Sequence, residues 1–307
     1  MRRVGLALGL AAAALLVSTG SAGVAPPESG PPPAKPLPSA PLRVMSTNQC
    51  TDQLVLALLP PERIASVTWL SRDPSGSLMA DAAAKVGVNH GLAEEVVRQQ
   101  PDLIVTDRFS KPATRAMLKR LGYPMVEVDD ATSFDMIRAN VRQVALAVGE
   151  VARGEAMIAA MDRDLADLAR DPGPPLRVVA WDGGGFSAGE GSLYNEVLKA
   201  TGAVNIANAS PVSRYNRPDT EVLLVAAPTL LVKGAGVRPE YGMRENIERH
   251  PLVRRYWDGP RTVAISPAYY TCGTPAISKA AIRLRAELRG AAQEVRSPLP
   301  FAASQSL

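Results

Sequence analysis

Two short phrases recur in this chain in the same order, and that repetition constrains its fold more than any other feature. Pro41-Leu42-Arg43-Val44 returns as Pro175-Leu176-Arg177-Val178. Further along, Glu94 stands seven residues ahead of Pro-Asp-Leu-Ile-Val at 101–105, and Glu221 stands seven ahead of Pro-Thr-Leu-Leu-Val at 228–232. In each half a proline stops one element and a short apolar run follows, the pattern of a buried strand. In each half a helical stretch carrying the Glu leads into the second strand. Single four-residue matches arise by chance. Two of them in the same order, 60 and 53 residues apart within their halves, argue for a duplicated unit. A chain of 307 residues also has room for two domains of ~150 residues.

Hydrophobic periodicity fills in the units. The first predicts strands over 43–47, 64–69, 102–106 and 124–128, with helices over 49–59, 91–99 and 112–121. The second predicts strands over 176–181, 229–233 and 261–265. Its helices are expected over 192–201, 219–226, near 244–256, and over 275–290. Alternation of this kind produces parallel sheets covered by helices, so the expected class is α/β, two Rossmann-like lobes with mostly parallel sheets. Between them, Ser133 caps a helical pattern of Ile137, Val141, Val144, Ala145 and Val148 that continues through Met157, Ile158, Met161, Leu165 and Leu168. Gly149 and Gly154 interrupt it and predict a bend or a two-piece helix, and Asp171 to Pro175 end it. The expected organisation is a lobe at 42–132, a connecting helix at 133–170, a lobe at 171–295 and a tail at 296–307. One long helix between lobes is a stiff link, so opening should be small.

The N-terminus reads as an address. Arg2 and Arg3 precede Val4 to Val17, drawn only from Val, Gly, Leu and Ala, and Ser18 to Ala22 follow. A basic region, a short apolar core and small residues make a signal peptide over 1–22, since crossing a bilayer takes about 20 apolar residues. Residues 23–41 carry eight prolines and read as a linker. The mature protein is therefore expected in the periplasm. Net charge is +4, or +2 without Arg2 and Arg3, and no basic stripe interleaved with aromatics occurs, so nucleic acid is not an expected partner. Two cysteines are too few for a disulfide scaffold or a cysteine-based zinc module, and two histidines argue against a His-rich metal site or a His-dependent enzyme.

An exported chain with two α/β lobes, one connecting helix and a Glu-x6-Pro phrase in each lobe resembles the periplasmic binding proteins of ABC importers for cobalamin and iron–siderophores. Their architecture is the class III periplasmic-binding fold, and the resemblance covers roughly 42–290. Gly91-Leu92-Ala93-Glu94-Glu95-Val96-Val97, running on to Pro101-Asp102-Leu103-Ile104-Val105, is similar to the cobalamin-binding pattern, as is Phe186-Ser187-Ala188-Gly189 in the second lobe. The resemblance implies that one surface glutamate per lobe docks on arginines of the membrane permease, and through it on the ATPase. The matching positions are Glu94 and Glu221, with Glu95 an adjacent rival for the first. Two acids at opposite ends of a bilobal body set orientation on a two-fold symmetric permease. The resemblance implies a metal chelate as ligand, with cobalamin ranked first, iron–siderophore second and haem third. It implies a monomer, and no resident cofactor.

Aromatics are only 5% of the chain, so their placement is informative. Trp69 ends a strand, Trp181 and Phe186 bracket the first turn of the second lobe, and Tyr215, Tyr269 and Tyr270 sit in loops after its strands. A large planar ligand buries well against such rings, although Trp181 could equally point into its lobe. By resemblance, Trp69, Phe186, Tyr215 and Tyr269 fall in segments that form the cleft. The run Asp182 to Gly191 matches neither a dinucleotide fingerprint nor a P-loop and reads better as a cleft loop. His90 is either a turn residue near the rim or a ligand contact. His250, before Pro251, is expected to be structural. Arg214 and Arg217 could meet ligand carboxylates or simply be solvated.

By resemblance Cys50 and Cys272 border the cleft from opposite lobes. Three states compete for them: unpaired small residues, a disulfide favoured by an oxidising compartment, or thiols facing a metal centre. A disulfide there would oppose opening. The functional alternative to a binding protein is an exported thiol-dependent enzyme using Cys50 or Cys272, with His90 as base. It leaves the paired Glu-x6-Pro phrases unexplained, and no catalytic motif is present. A zinc or manganese binder would need more histidine and carboxylate ligands than the chain offers.

Overall fold

The computed structural model describes residues 40–109, 111–180, 187–209, 215–216, 220–234, 250–295 and 297–301. The expected signal peptide, and all of the linker but its last two residues, lie outside that set, as do Trp181, Phe186, Arg214 and Arg217.

Lobe one is a five-stranded parallel sheet of β1 (Val44–Ser46), β2 (Ile64–Thr68), β3 (Val88–Asn89), β4 (Leu103–Asp107) and β5 (Met125–Val128), in the order β3-β2-β1-β4-β5. Its helices are α1 (Gln49–Leu58), the short α2 (Ala80–Ala83), α3 (Ala93–Gln99) and α4 (Pro112–Arg120). Lobe two has a parallel sheet of β6 (Arg177–Ala180), β8 (Val204–Asn205), β10 (Leu230–Gly234) and β11 (Thr262–Ile265), in the order β11-β10-β6-β8. The short β7 (Ser187–Ala188) and β9 (Tyr215–Asn216) pair antiparallel beside it. Among the described residues the lobe's helices are α7 (Leu193–Ala200), α8 (Thr220–Ala226), α9 (Pro251–Trp257) and α10 (Ile277–Glu294), and residues 244–249 of the helix expected near 244–256 lie outside the described set.

The duplication holds at the level of single hydrogen bonds. Arg43 donates from Nη2 to the carbonyl of Gln99 at 2.8 Å, and Arg177 donates from Nη2 to the carbonyl of Ala226 at 2.8 Å. Each arginine thus reaches a carbonyl at the C-terminal end of the helix that bears the repeated glutamate, where a cation is favoured. After each helix one residue turns left-handed (Gln100 at φ 48°, Ala227 at φ 44°) and proline follows. The next residue then donates back to the arginine's own carbonyl, from Asp102 at 3.1 Å and from Thr229 at 2.7 Å. The two phrases recur together because they bind each other.

Period-two alternation places the strands between two apolar layers. Val44, Leu103 and Val105 face one side of the first sheet, and Val178, Leu230 and Val232 face the matching side of the second. These inner faces share one continuous core with α1, α10 and the helices between the lobes. The outer faces are separate. Met45 and Ile104 pack with Val96 of α3 and Leu118 of α4, while Val179 and Leu231 pack with Leu223 of α8 and Trp257 of α9. The chain beyond 295, set apart above as a tail, contributes Leu299 and Phe301 to that last cluster.

The connection between lobes is a helical hairpin rather than one rod. Helix α5 (Phe134–Val148), capped by the Ser133 hydroxyl, ends at Gly149, whose φ of 75° reverses the chain before α6 (Val151–Arg170). The amide of Glu150 bonds back to the carbonyl of Ala145 at 2.8 Å, and that of Gly149 to Leu146, closing a Schellman turn. Arg138–Asp162 and Arg142–Glu155 ion pairs bind the antiparallel helices side by side. Gly154 allows their close approach, since a Cβ there would lie 2.5 Å from the Cβ of Ala145. Only α6, about 30 Å long, runs on to lobe two. There Asp164 accepts bonds from Ser278 Oγ at 2.7 Å and Lys279 Nζ at 3.0 Å, both in the first turn of α10.

Candidate cleft between the lobes

The carboxyl ends of the lobe-one strands carry an exposed aromatic strip. Trp69 begins the 3-10 turn after β2 and is 53% exposed, and His90 follows β3 with its ring centroid 6.5 Å from that of Trp69. Phe109, two residues past β4, is 67% exposed, and Leu92 adds apolar surface beside His90. Trp69 and His90 pair ring to ring at the end of the sheet where α/β folds bind ligands, and Phe109 is exposed at the same end of β4. Phe109 and Leu92 were not singled out from sequence. The signal for Phe109 was available: an aromatic residue just past a buried strand, in a chain with four phenylalanines.

His90 is held in place by Glu95. Its Nδ1 lies 3.1 Å from Glu95 Oε1, and its amide donates to Glu95 Oε2 at 2.7 Å. The amide of Leu92 donates to the same oxygen at 3.1 Å. Burial alone would raise the Glu95 carboxyl, but the bonds from His90 and Leu92 outweigh it and keep the group below the usual glutamate range. A carboxylate on Nδ1 orients an imidazole and enriches Nε2 as an acceptor or metal ligand. Lys111 caps this loop from the other side through the carbonyls of His90 and Gly91. Glu95 is therefore committed locally and buried, whereas Glu94 is exposed on α3. Glu221 is exposed on α8 at the equivalent place in lobe two.

Beneath the strip lies a buried polar floor. Asp52 on α1 accepts from the Thr68 amide at 3.0 Å and from the hydroxyls of Thr68 at 2.5 Å and Ser71 at 2.7 Å, all on one carboxylate oxygen. The other oxygen is buried without a partner. Burial dominates and raises the Asp52 carboxyl above the ordinary aspartate range, against those hydroxyl bonds. These contacts hold the N-terminal turn of α1 rigidly against the end of β2, which fixes Cys50.

Cys50 and Cys272 form a disulfide, with Cα atoms 5.0 Å apart and a sequence separation of 222. This corrects two of the three states open from sequence: the pair is neither unpaired nor a set of thiols facing a metal. The physical reason is tertiary, since only the packing of the lobes brings the first turn of α1 to the loop after β11. The chain's two cysteines are both consumed. The thiol-dependent enzyme considered above is left without its nucleophile. Because one cysteine follows β1 and the other β11, the bridge also shows that the carboxyl ends of the two sheets face each other.

In lobe two, Tyr269 and Tyr270 lie in and just after the 3-10 turn that follows β11. Tyr270 meets Tyr194 edge-on, with centroids 5.6 Å apart. The Tyr269 hydroxyl accepts from Arg283 Nη1 at 2.8 Å, and the guanidinium sits 5.5 Å from the ring centroid. Both rings pack partly against the core. Tyr215 is in β9, paired with Ala188 of β7, so that ribbon stands beside the lobe-two sheet. His250 is the N-cap of α9, its Nδ1 accepting from the Leu252 amide at 3.3 Å, in keeping with a structural role. Among the described residues no group of three or more His, Cys, Asp or Glu side chains is arranged to hold a metal ion. Nor is any helix among them long and apolar enough to cross a membrane.

Known proteins share this architecture. Residues 44–255 match the profile of a family described as "Periplasmic binding protein". An uncharacterised ABC transporter substrate-binding lipoprotein of Bacillus subtilis, YvrC, is 22% identical over 209 residues, spanning 64% of this chain and 65% of its own length. The match therefore covers less than two thirds of that relative. Among solved structures, the periplasmic heme-binding protein RhuT from Roseiflexus sp. RS-1 superposes with a TM-score of 0.67 at 23% identity, covering 82% of this chain and 99% of its own. The periplasmic vitamin B12 binding protein BtuF of Vibrio cholerae gives a TM-score of 0.63 at 20% identity, over 83% and 100%. An ABC-type Fe3+-hydroxamate transport protein from Saccharomonospora viridis gives 0.64 at 15%, over 81% and 93%. At these identities the superpositions speak to the fold.

Proposed function

The chain belongs to the periplasmic binding protein family, and from that membership we propose that it is the solute-binding component of an ABC importer whose cargo is a metal-centred tetrapyrrole. The observation that carries the ligand class is the Trp69–His90–Phe109 strip, with Nδ1 of His90 paired to the Glu95 carboxylate. Flat apolar faces suit a corrin or porphyrin plane, and an imidazole with an enriched Nε2 suits a cobalt or iron centre above it. A ferric hydroxamate is a globular, oxygen-ligated complex with no flat apolar face and no open site for an imidazole, so it gains less from such a strip. Cobalamin keeps its first place, and haem moves ahead of siderophores on the strength of His90. Delivery would use Glu94 and Glu221, exposed at matching places in the two lobes, to register on a permease, with export to the periplasm by the N-terminal segment.

The test is an absorbance titration of purified protein with hemin, aquocobalamin and a ferric hydroxamate. A shifted Soret or corrin band with saturation is the expected result. Trp69→Ala and Phe109→Ala should each weaken binding by about 2 kcal/mol, some thirtyfold, and His90→Ala should abolish the band shift. Saturable binding of the hydroxamate alone would refute the tetrapyrrole assignment.

A further inference from the structure

The Cys50–Cys272 bridge occupies a place where it can govern motion. Each lobe is internally rigid, with parallel strands buried on both faces. Away from the bridge the lobes already meet through the shared inner core and along α6, to which α10 is fastened through Asp164. The bridge adds a covalent point at the floor of the cleft, where Cα atoms of opposite lobes stand 5.0 Å apart. Beside it the lobes also touch without covalent linkage: a Cβ on Gly273 of lobe two would lie 2.6 Å from the Cβ of Ala131 at the end of lobe one. A covalent link at the cleft floor added to that packing leaves rocking about the line from the bridge to α6 as the freest relative motion. Without the link, twist and splay are opposed by packing alone.

We propose that the Cys50–Cys272 disulfide is a redox-dependent staple that confines the lobes to a single rocking motion and thereby sets how long the cleft retains its cargo. The cargo half of this statement rests on the binding-protein assignment above; the motional half does not. Formation of the staple removes two electrons and two protons from the two thiols, passing them to the disulfide of an exported thiol oxidase, which leaves as its dithiol. Opening runs in reverse with a dithiol donor. Cys272 is buried while Cys50 is partly open to solvent, so exchange begins by thiolate attack at the Cys50 sulfur, with the Cys272 thiolate as leaving group. The resting state in an oxidising compartment is the stapled one.

Three forms of the full chain decide the matter: oxidised wild type, wild type reduced with dithiothreitol, and the Cys50→Ala, Cys272→Ala double variant. Hydrogen–deuterium exchange is followed at 127–133 and 268–275, with small-angle scattering for overall dimensions and circular dichroism to confirm an intact fold. In the reduced and double-variant proteins, exchange in both segments should rise at least tenfold, with a larger radius of gyration and unchanged dichroism. The reduced wild type supplies the answer even should the double variant fold poorly. Hemin release, timed by transfer to apomyoglobin, should be at least tenfold faster from the double variant than from oxidised wild type. Exchange and scattering unchanged by loss of the bridge would overturn the staple, as would equal hemin release rates from the two proteins. Failure of hemin and aquocobalamin to bind either protein would reject the cargo assignment, leaving the exchange experiment to decide the staple.

Discussion

The contact between Gly154 of α6 and Ala145 of α5 offers a sharp quantitative test, because two opposing effects meet there at known distances. Gly154→Ala removes a glycine from the interior of a 20-residue helix, which by intrinsic propensity alone stabilises by about 1 kcal/mol. The added Cβ, however, would lie 2.5 Å from the Cβ of Ala145, with Val141 Cγ1 at an ordinary 3.5 Å. Carbon atoms settle at about 3.5–4.0 Å, so the hairpin must open by roughly 1 Å along its whole contact. Overpacking of that size costs about 1–3 kcal/mol. The clash exceeds the propensity gain, so the variant should be destabilised by about 1 kcal/mol, a fall in Tm of about 2–4 °C for a protein this large. Ala145→Gly alone should cost about 1 kcal/mol through propensity. Combining the two swaps the methyl from one helix to the other and should return stability close to wild type, a coupling of about 2 kcal/mol. Urea unfolding followed by far-ultraviolet circular dichroism measures all four proteins. A Gly154→Ala protein that gains 1 kcal/mol, with effects that simply add in the double variant, would refute the packing argument.

Two further perturbations probe other parts of the molecule. Asp52 holds its proton to higher pH when folded than when unfolded, because burial outweighs its hydroxyl bonds. Above the ordinary aspartate value of about 4 the native state binds the extra proton, so stability should fall as pH rises through that window, by at most about 1.4 kcal/mol per pH unit. Asp52→Asn cannot titrate and should flatten this dependence, gaining on wild type from pH 4 upward; parallel urea midpoints for the two proteins would count against it. For docking, Glu94→Lys combined with Glu221→Lys should abolish uptake in cells that depend on this importer while leaving cargo affinity unchanged. Normal uptake by the double variant would remove both residues from the docking role.

Much of the fold could be read along the chain because its determinants are local. The strands over 102–106 and 229–233 announced themselves as apolar runs after proline, and the structure places them at 103–107 and 230–234. The break near Gly149 was legible, since a glycine in a helical pattern is either tolerated at a cost or used to turn. What the break does was not legible: that the helices fold back on each other depends on Ala145 meeting Gly154, and on Arg138 and Arg142 finding acids on the second helix. The two-residue strands β3 and β8 passed unnoticed because so short a run has no periodicity to detect. Glu94 and Glu95 were indistinguishable by sequence. Helix geometry turns the second inward to His90 and leaves the first in water.

Composition, order of apolar runs and the doubled Pro-Leu-Arg-Val and Glu-x6-Pro phrases settle that there are two lobes of the same design, since such patterns specify each sheet and its covering helices through neighbours in the chain. Contacts between residues far apart in sequence belong to a different class. The pairing of Cys50 with Cys272 across 222 residues, the inner core common to both sheets and the alignment of Trp69, His90 and Phe109 on one rim all follow from how the finished lobes pack. No local pattern encodes them, because each depends on the summed geometry of every element lying between the partners.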